Sequence, residues 1–180
     1  AIAQVLYGDY NPSGKLPMSF PRAVGQVPIY YNYKNTGRPT GAPGVFWSHY
    51  EDEENAPLYP FGYGLSYTSF EYSNLKTSVV SEKEVQVSVT LKNSGKQTGK
   101  EVVQLYIRDH FASVTRPVRE LKGFELVSLV PNESQEISFT LTEKEFGFYD
   151  NNGNFILESG DFSIFVGGDS NANLQSTITL

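Results

Sequence analysis

His49 and His110 are the only imidazoles in the chain, and they stand far apart with no His-Glu-x-x-His spacing between them. A zinc site needs three or four converging ligands. A serine nucleophile needs a histidine held by a carboxylate. Neither arrangement is nominated by the residues present. Cysteine is absent, which removes thiolate ligands and disulfides without placing the protein in any compartment. Glu51, Asp52, Glu53 and Glu54 offer the hard oxygens that calcium takes. Adjacent like charges on a loop normally face water, and that is the preferred reading here. Paired carboxylates for acid and nucleophile work must sit about 5 Å apart, and no pair stands out from ordinary surface carboxylates. The glycines of PFGYGLSY, residues 60–67, lack the preceding strand and following helix of a phosphate loop and read as turn formers. The expectation is therefore no catalytic residue, no metal and no cofactor within this chain.

One aromatic group deserves a role. Tyr30, Tyr31, Tyr33, Phe46, Trp47 and Tyr50 gather in a short stretch, and their flat apolar faces suit either a sugar ring or a neighbouring domain. Packing against a domain is the preferred reading. Trp47, the single tryptophan, is the candidate substrate-contacting residue, placed to wall a pocket formed elsewhere.

The elements that would position these residues follow from periodicity. Ile2, Val5 and Leu6 recur at helical spacing and Gly8 stands where a helix ends in a left-handed residue. From Asn11 to Tyr67, eight prolines between Pro12 and Pro60 interrupt regular ladders, marking a connector. Leu16 to Phe20 and Val27 to Tyr31 are its candidate edge strands. In PSGKLP, Pro12 and Gly14 make a tight turn that points Lys15 outward and turns Leu16 and Met18 inward. Beyond Phe70 the pattern alternates. Val85, Val87, Val89 and Leu91 stand between polar residues, as in a strand with one face in a core and one in water. Val103, Leu105 and Ile107 repeat this. Further strands are expected at 121–126, 137–141, 146–149, 155–157, 162–166 and 177–180, with Asn152-Gly153 as a hairpin turn. Gly123 inside a strand predicts a bulge or a close neighbour. Arg116, Arg119 and Lys122 are expected on a solvated or interface face. Seven or eight short strands at this length predict a mainly β fold, an immunoglobulin-like or fibronectin type III-like β-sandwich.

A formal net charge of −6 argues against nucleic acid, which needs a basic stripe. No apolar run reaches the roughly 18 to 20 residues of a membrane span. The opening AIAQVLYGDY has neither an initiator Met nor an export signal, so the chain reads as part of a longer one.

With these residues laid out, five segments in order resemble the end of family 3 glycoside hydrolases, in particular bacterial periplasmic β-glucosidases. They are residues 8–32 (GDYNPSGKLPMSFPRAVGQVPIYYN), 35–39 (NTGRP), 58–73 (LYPFGYGLSYTSFEYS), 92–109 (KNSGKQTGKEVVQLYIRD) and 116–129 (RPVRELKGFELVSL). The resemblance implies a parent built from a (β/α)8 barrel, an α/β sandwich and a terminal fibronectin type III-like domain. On that plan residues 1–20 are a remnant of the α/β sandwich domain, 21–68 a Pro/Gly-rich connector, and 69–180 the fibronectin type III-like domain. It implies that the nucleophilic aspartate and proton-donating glutamate lie upstream, so this chain alone is inactive. The parent would be an exo-acting retaining β-glucosidase, or a β-xylosidase, in the periplasm or secreted. Its partners would be the upstream domains, an oligosaccharide substrate and a second copy in a homodimer. The alternative is a non-catalytic carbohydrate-binding or contact module.

Overall fold

The computed structural model describes residues 1–35, 48–81 and 83–180. Seven strands make the two layers of a β-sandwich. One layer joins β1 (Phe70–Ser81), β2 (Glu84–Asn93) and β5 (Ser134–Thr142) in the order β1-β2-β5. The other joins β3 (Gly99–Asp109), β4 (Glu120–Leu129), β8 (Asp161–Gly167) and β9 (Leu174–Thr179) in the order β4-β3-β8-β9. All pairings within these layers are antiparallel. Between β5 and β8 lie a one-turn helix α2 (Glu143–Phe146) and a two-residue hairpin of β6 (Phe148–Tyr149) and β7 (Phe155–Ile156).

The core comes from the alternation. Val85, Val87, Val89 and Leu91 of β2 are buried against Val103, Leu105 and Ile107 of β3, with Ile137, Leu141, Phe162, Ile164 and Val166 filling between. Removing a single such aliphatic side chain from water contributes about 1.5–3 kcal/mol. Phe146 and Phe162 meet edge to face at 5.0 Å in the same core.

Gly123 meets both expectations for it. The β3–β4 register slips between Leu105 and Tyr106, and a Cβ on Gly123 would stand 3.0 Å from the Phe139 ring. Asn152-Gly153 turns the β6–β7 hairpin, with Gly153 at φ +81°. The stretch expected as a strand over 146–149 begins instead as helix α2. Thr142 caps it by accepting from the Lys144 N–H, while the Glu145 carboxylate accepts from the Thr142 N–H.

Asn93 ties the end of β2 to its surroundings. Its side-chain oxygen accepts from Thr68 Oγ1 at 2.6 Å and from Gly95 N at 3.1 Å. Its amide donates to the carbonyls of Gln97 at 2.8 Å and Leu129 at 3.0 Å. The side chain is fully buried.

Among the described residues before β1 there are only the short helix α1 (Ile2–Leu6), a 3-10 turn at Val24–Gln26 and isolated bridges. Gly8 takes φ +83° just past α1, as its position after the helical spacing requires. Leu16 to Phe20 and Val27 to Tyr31 do not form edge strands: the first makes a single bridge, Phe20 with Tyr59, and the second none. Prolines at 17, 21, 28 and 60 withhold the N–H groups a longer ladder would need.

Candidate functional site

Trp47 and Phe46 lie outside the described residues, so the candidate contact at Trp47 has no structural description. The rest of the aromatic group divides. Tyr31 turns inward and stacks on Phe61 with ring centroids 4.2 Å apart, and it meets Tyr106 edge-on at 5.9 Å. Tyr30, Tyr33 and Tyr50 remain exposed. Tyr106 belongs to β3 and points away from the sandwich core. The segment before β1 therefore lies on the outer face of the four-stranded layer, and it buries Tyr106 completely.

Backbone bonds set up this contact. Leu16 and Gly62 exchange partners with their neighbours, Leu16 N donating to Tyr63 O and Gly62 N to Leu16 O, each at 2.8 Å. Phe20 N donates to Tyr59 O at 2.8 Å. The two stretches thus run side by side across the sheet. Gln104 of β3 grips them: its amide donates to Gly62 O at 3.1 Å and Gly168 O at 2.5 Å, while its oxygen accepts from the Tyr106 hydroxyl. Gly62 sits at φ +79°, where any Cβ would run into the Gln104 carboxamide. Here a glycine is required twice over, by backbone conformation and by space.

A second fastening is ionic. Lys15 Nζ donates to Glu101 Oε1 at 2.9 Å, and the Tyr72 hydroxyl donates to the same oxygen at 3.0 Å. Lys15 does not point outward as the turn suggested. Its side chain is only 15% exposed and Glu101 only 9%. Met18 shows the reverse error and is exposed at 59%. Burial, reinforced by the charge of Glu101, holds the Tyr72 phenol well above its ordinary pKa, so it stays a donor. Burial likewise raises the Tyr106 phenol.

The basic residues after β3 are not a solvated face either. Arg119 lies over the Phe165 ring at 3.9 Å, bonds the Ser170 carbonyl, and donates to the Ala172 carbonyl at 3.0 Å. Burial lowers its pKa. Arg116 stacks 4.7 Å over Phe148 and pairs with Glu120 at 2.8 Å; Lys122 holds the other oxygen of Glu120. Of the acidic run, Glu53 and Glu54 face Arg22 at the surface, at 3.8 and 3.1 Å. No group of three or more His, Cys, Asp or Glu residues able to hold a metal occurs among the described residues. His110 Nε2 shares a 2.8 Å hydrogen bond with Ser163 Oγ.

While part of the leading segment grips the sandwich, many of its apolar side chains are open to solvent. Ile2, Leu6, Tyr7, Met18, Val24, Val27, Tyr30 and Leu65 are each more than half exposed. Exposed apolar side chains in this number suit contact with a neighbour. This open surface is the candidate functional site, and its chemistry is that of contact.

Two family models match successive parts of the chain. The Glycosyl hydrolase family 3 C-terminal domain matches residues 1–67, and the Fibronectin type III-like domain matches residues 101–170. This chain belongs to the C-terminal region of glycoside hydrolase family 3. The periplasmic β-glucosidase of Salmonella typhimurium is 47% identical over the whole chain, which spans 24% of that relative. A β-xylosidase of Formosa agariphila is 43% identical over the whole chain, which spans 25% of it. Among solved structures, a β-glucosidase of Listeria innocua carrying the substitution D270A, in complex with laminaribiose, superposes with a TM-score of 0.91 at 43% identity, covering 99% of this chain and 25% of that one. The chain thus spans about a quarter of the length of the family 3 relatives it matches. Its sandwich is the fibronectin type III-like domain of that family.

Proposed function

We propose that this chain is the C-terminal structural portion of an exo-acting retaining β-glucosidase that removes terminal β-D-glucosyl residues. The nucleophile and the proton donor belong to upstream barrel and α/β sandwich domains. Residues 1–20 complete that α/β sandwich, 21–68 connect it, and 69–180 form the terminal domain. The supporting observation is the division of the leading segment, which grips the sandwich through Tyr31, Phe61 and Lys15 and leaves apolar side chains open for a neighbour. Relatives named β-xylosidase make a β-xyloside the second substrate class. A relative named periplasmic supports a periplasmic or secreted enzyme. Among the described residues no helix is long and apolar enough to cross a membrane.

Aryl β-glucoside hydrolysis tests the assignment. The 180-residue chain alone is expected to give no turnover. Exchanged for the matching quarter of the Salmonella typhimurium relative, it is expected to leave an active β-glucosidase. Turnover by the chain alone, or an inactive chimera that is folded, contradicts the reading.

A further inference from the structure

At the end of β3 the chain turns through residues 110–119 and encloses a cleft of about 210 Å³ beside Asn35. The loop is fixed before any ligand arrives. Val118 N donates to Tyr33 O at 2.9 Å, Ser113 N to Glu158 Oε2 at 2.8 Å, and Arg116 is held by Glu120 and Phe148. A preset site loses little conformational freedom on binding.

Four groups in this cleft are not accounted for by the fold. Asp109 is a carboxylate whose side chain is only 4% exposed. Its Oδ1 accepts from Phe111 N at 3.2 Å, while its Oδ2 faces Arg116 Nε at 3.8 Å, beyond hydrogen-bond distance. That Nε is itself sealed from solvent without a partner. Arg108 lines the same cleft and makes no hydrogen bond or ion pair among the described residues. On the rim, Phe111 holds its ring 81% exposed. A carboxylate oxygen at the cleft has lone pairs that a ligand hydroxyl can reach. Burial also raises the Asp109 pKa.

We propose that this cleft binds one terminal hexopyranose ring of a neutral oligosaccharide. A ring hydroxyl donates to Asp109 Oδ2, Arg108 donates to a neighbouring hydroxyl, and the Phe111 ring covers an apolar face of the sugar. Asp109 and Glu120 offset Arg116 and Lys122 at the cleft, so a neutral ligand does not have to displace a paired charge. The size favours a single ring, since the volume falls below the roughly 300–1,000 Å³ of pockets that enclose larger ligands. The sugar class rests on the reading of the chain as part of a glucoside hydrolase. The site lies at the end of β3 on the sandwich.

The test is a titration of the 15N-labelled 180-residue chain with cellobiose and cellotriose, with sorbitol as a polyol lacking a ring. Amide shifts are expected to cluster at residues 108–118, with millimolar affinity and no response to sorbitol. Phe111→Ala and Arg108→Ala, both at solvent-reachable positions, are expected to weaken binding by about tenfold or more, the usual effect of losing a stacking or charged hydrogen-bond partner. Trp47→Ala is expected to leave it unchanged. Absence of shifts in the wild-type chain, equal affinity in Phe111→Ala, or loss confined to Trp47→Ala overturns the proposal. None of these results bears on whether the chimera hydrolyses a glucoside, so the two readings fail separately.

Discussion

Replacing Asn93 with alanine is expected to lower the stability of the chain by about 3–5 kcal/mol, among the larger effects a single substitution produces. The four side-chain bonds of Asn93 join the residue leading into β1, the turn before β3 and the end of β4. Alanine strands the Leu129 carbonyl in a buried setting, where an unmet acceptor costs about 1–3 kcal/mol, and the other three partners lose bonds nearer the surface. Thermal unfolding followed by circular dichroism should show a melting temperature lower by roughly 10 °C, taking about 2–4 °C per kcal/mol for a chain of this size. Asn93→Asp is the informative control. It keeps both accepted bonds and loses both donated ones, so it should be no more stable than the alanine variant. A melting temperature within a degree or two of wild type for either variant would show that Asn93 is not the tie described.

The second large effect is expected at Lys15. Lys15→Met keeps the length of the side chain and removes its charge, leaving the Glu101 carboxylate buried with only the Tyr72 hydroxyl among the described residues. Breaking one partner of a buried pair costs about 3–5 kcal/mol, mostly the penalty of an uncompensated charge. The pair is 15% and 9% exposed, so solvent screening relieves part of this and the lower end of that range is expected. Adding Glu101→Gln to Lys15→Met should recover a good part of the loss, because the amide carries no charge and still accepts from Tyr72. Urea denaturation of the two single variants and the double variant provides the cycle. Purely additive losses would mean that the 2.9 Å contact carries no coupling between the leading segment and the sandwich.

These two sites also show what the sequence made visible. The inward face of β2 was legible because Val85, Val87, Val89 and Leu91 alternate without interruption and only one face is buried. On β3 the same reading placed Gln104 and Tyr106 in water. They are buried because residues far away in the chain cover them, and no local period encodes that. Strand β1 was not singled out, since its pairing slips around Asn74, which sits at φ +53° and breaks the alternation. Helix α2 did carry a signal, Thr142 followed three residues later by Glu145, which a search for capping boxes would have found. Lys15 was read from its turn, whereas its position is decided by Glu101, and a partner at that separation is invisible to a local window.

The same reasoning explains the contact face. Aromatic residues crowding Pro-rich and Gly-rich sequence pointed to docking, and the fold divides the described ones into Tyr31, used within the chain against Phe61, and Tyr30, Tyr33 and Tyr50, left exposed. The division depends on which side of the leading segment meets Tyr106.

Hydrogen–deuterium exchange resolved to single amides asks most directly whether the leading segment and the sandwich are one cooperative body. Ser170 and Val118 of the sandwich donate backbone hydrogen bonds to the Phe61 and Tyr33 carbonyls of the leading segment, each at 2.9 Å. Their amides should exchange on the timescale of β3. If those amides exchange within seconds while β3 stays protected, the segment is not fastened to the sheet and the account is wrong.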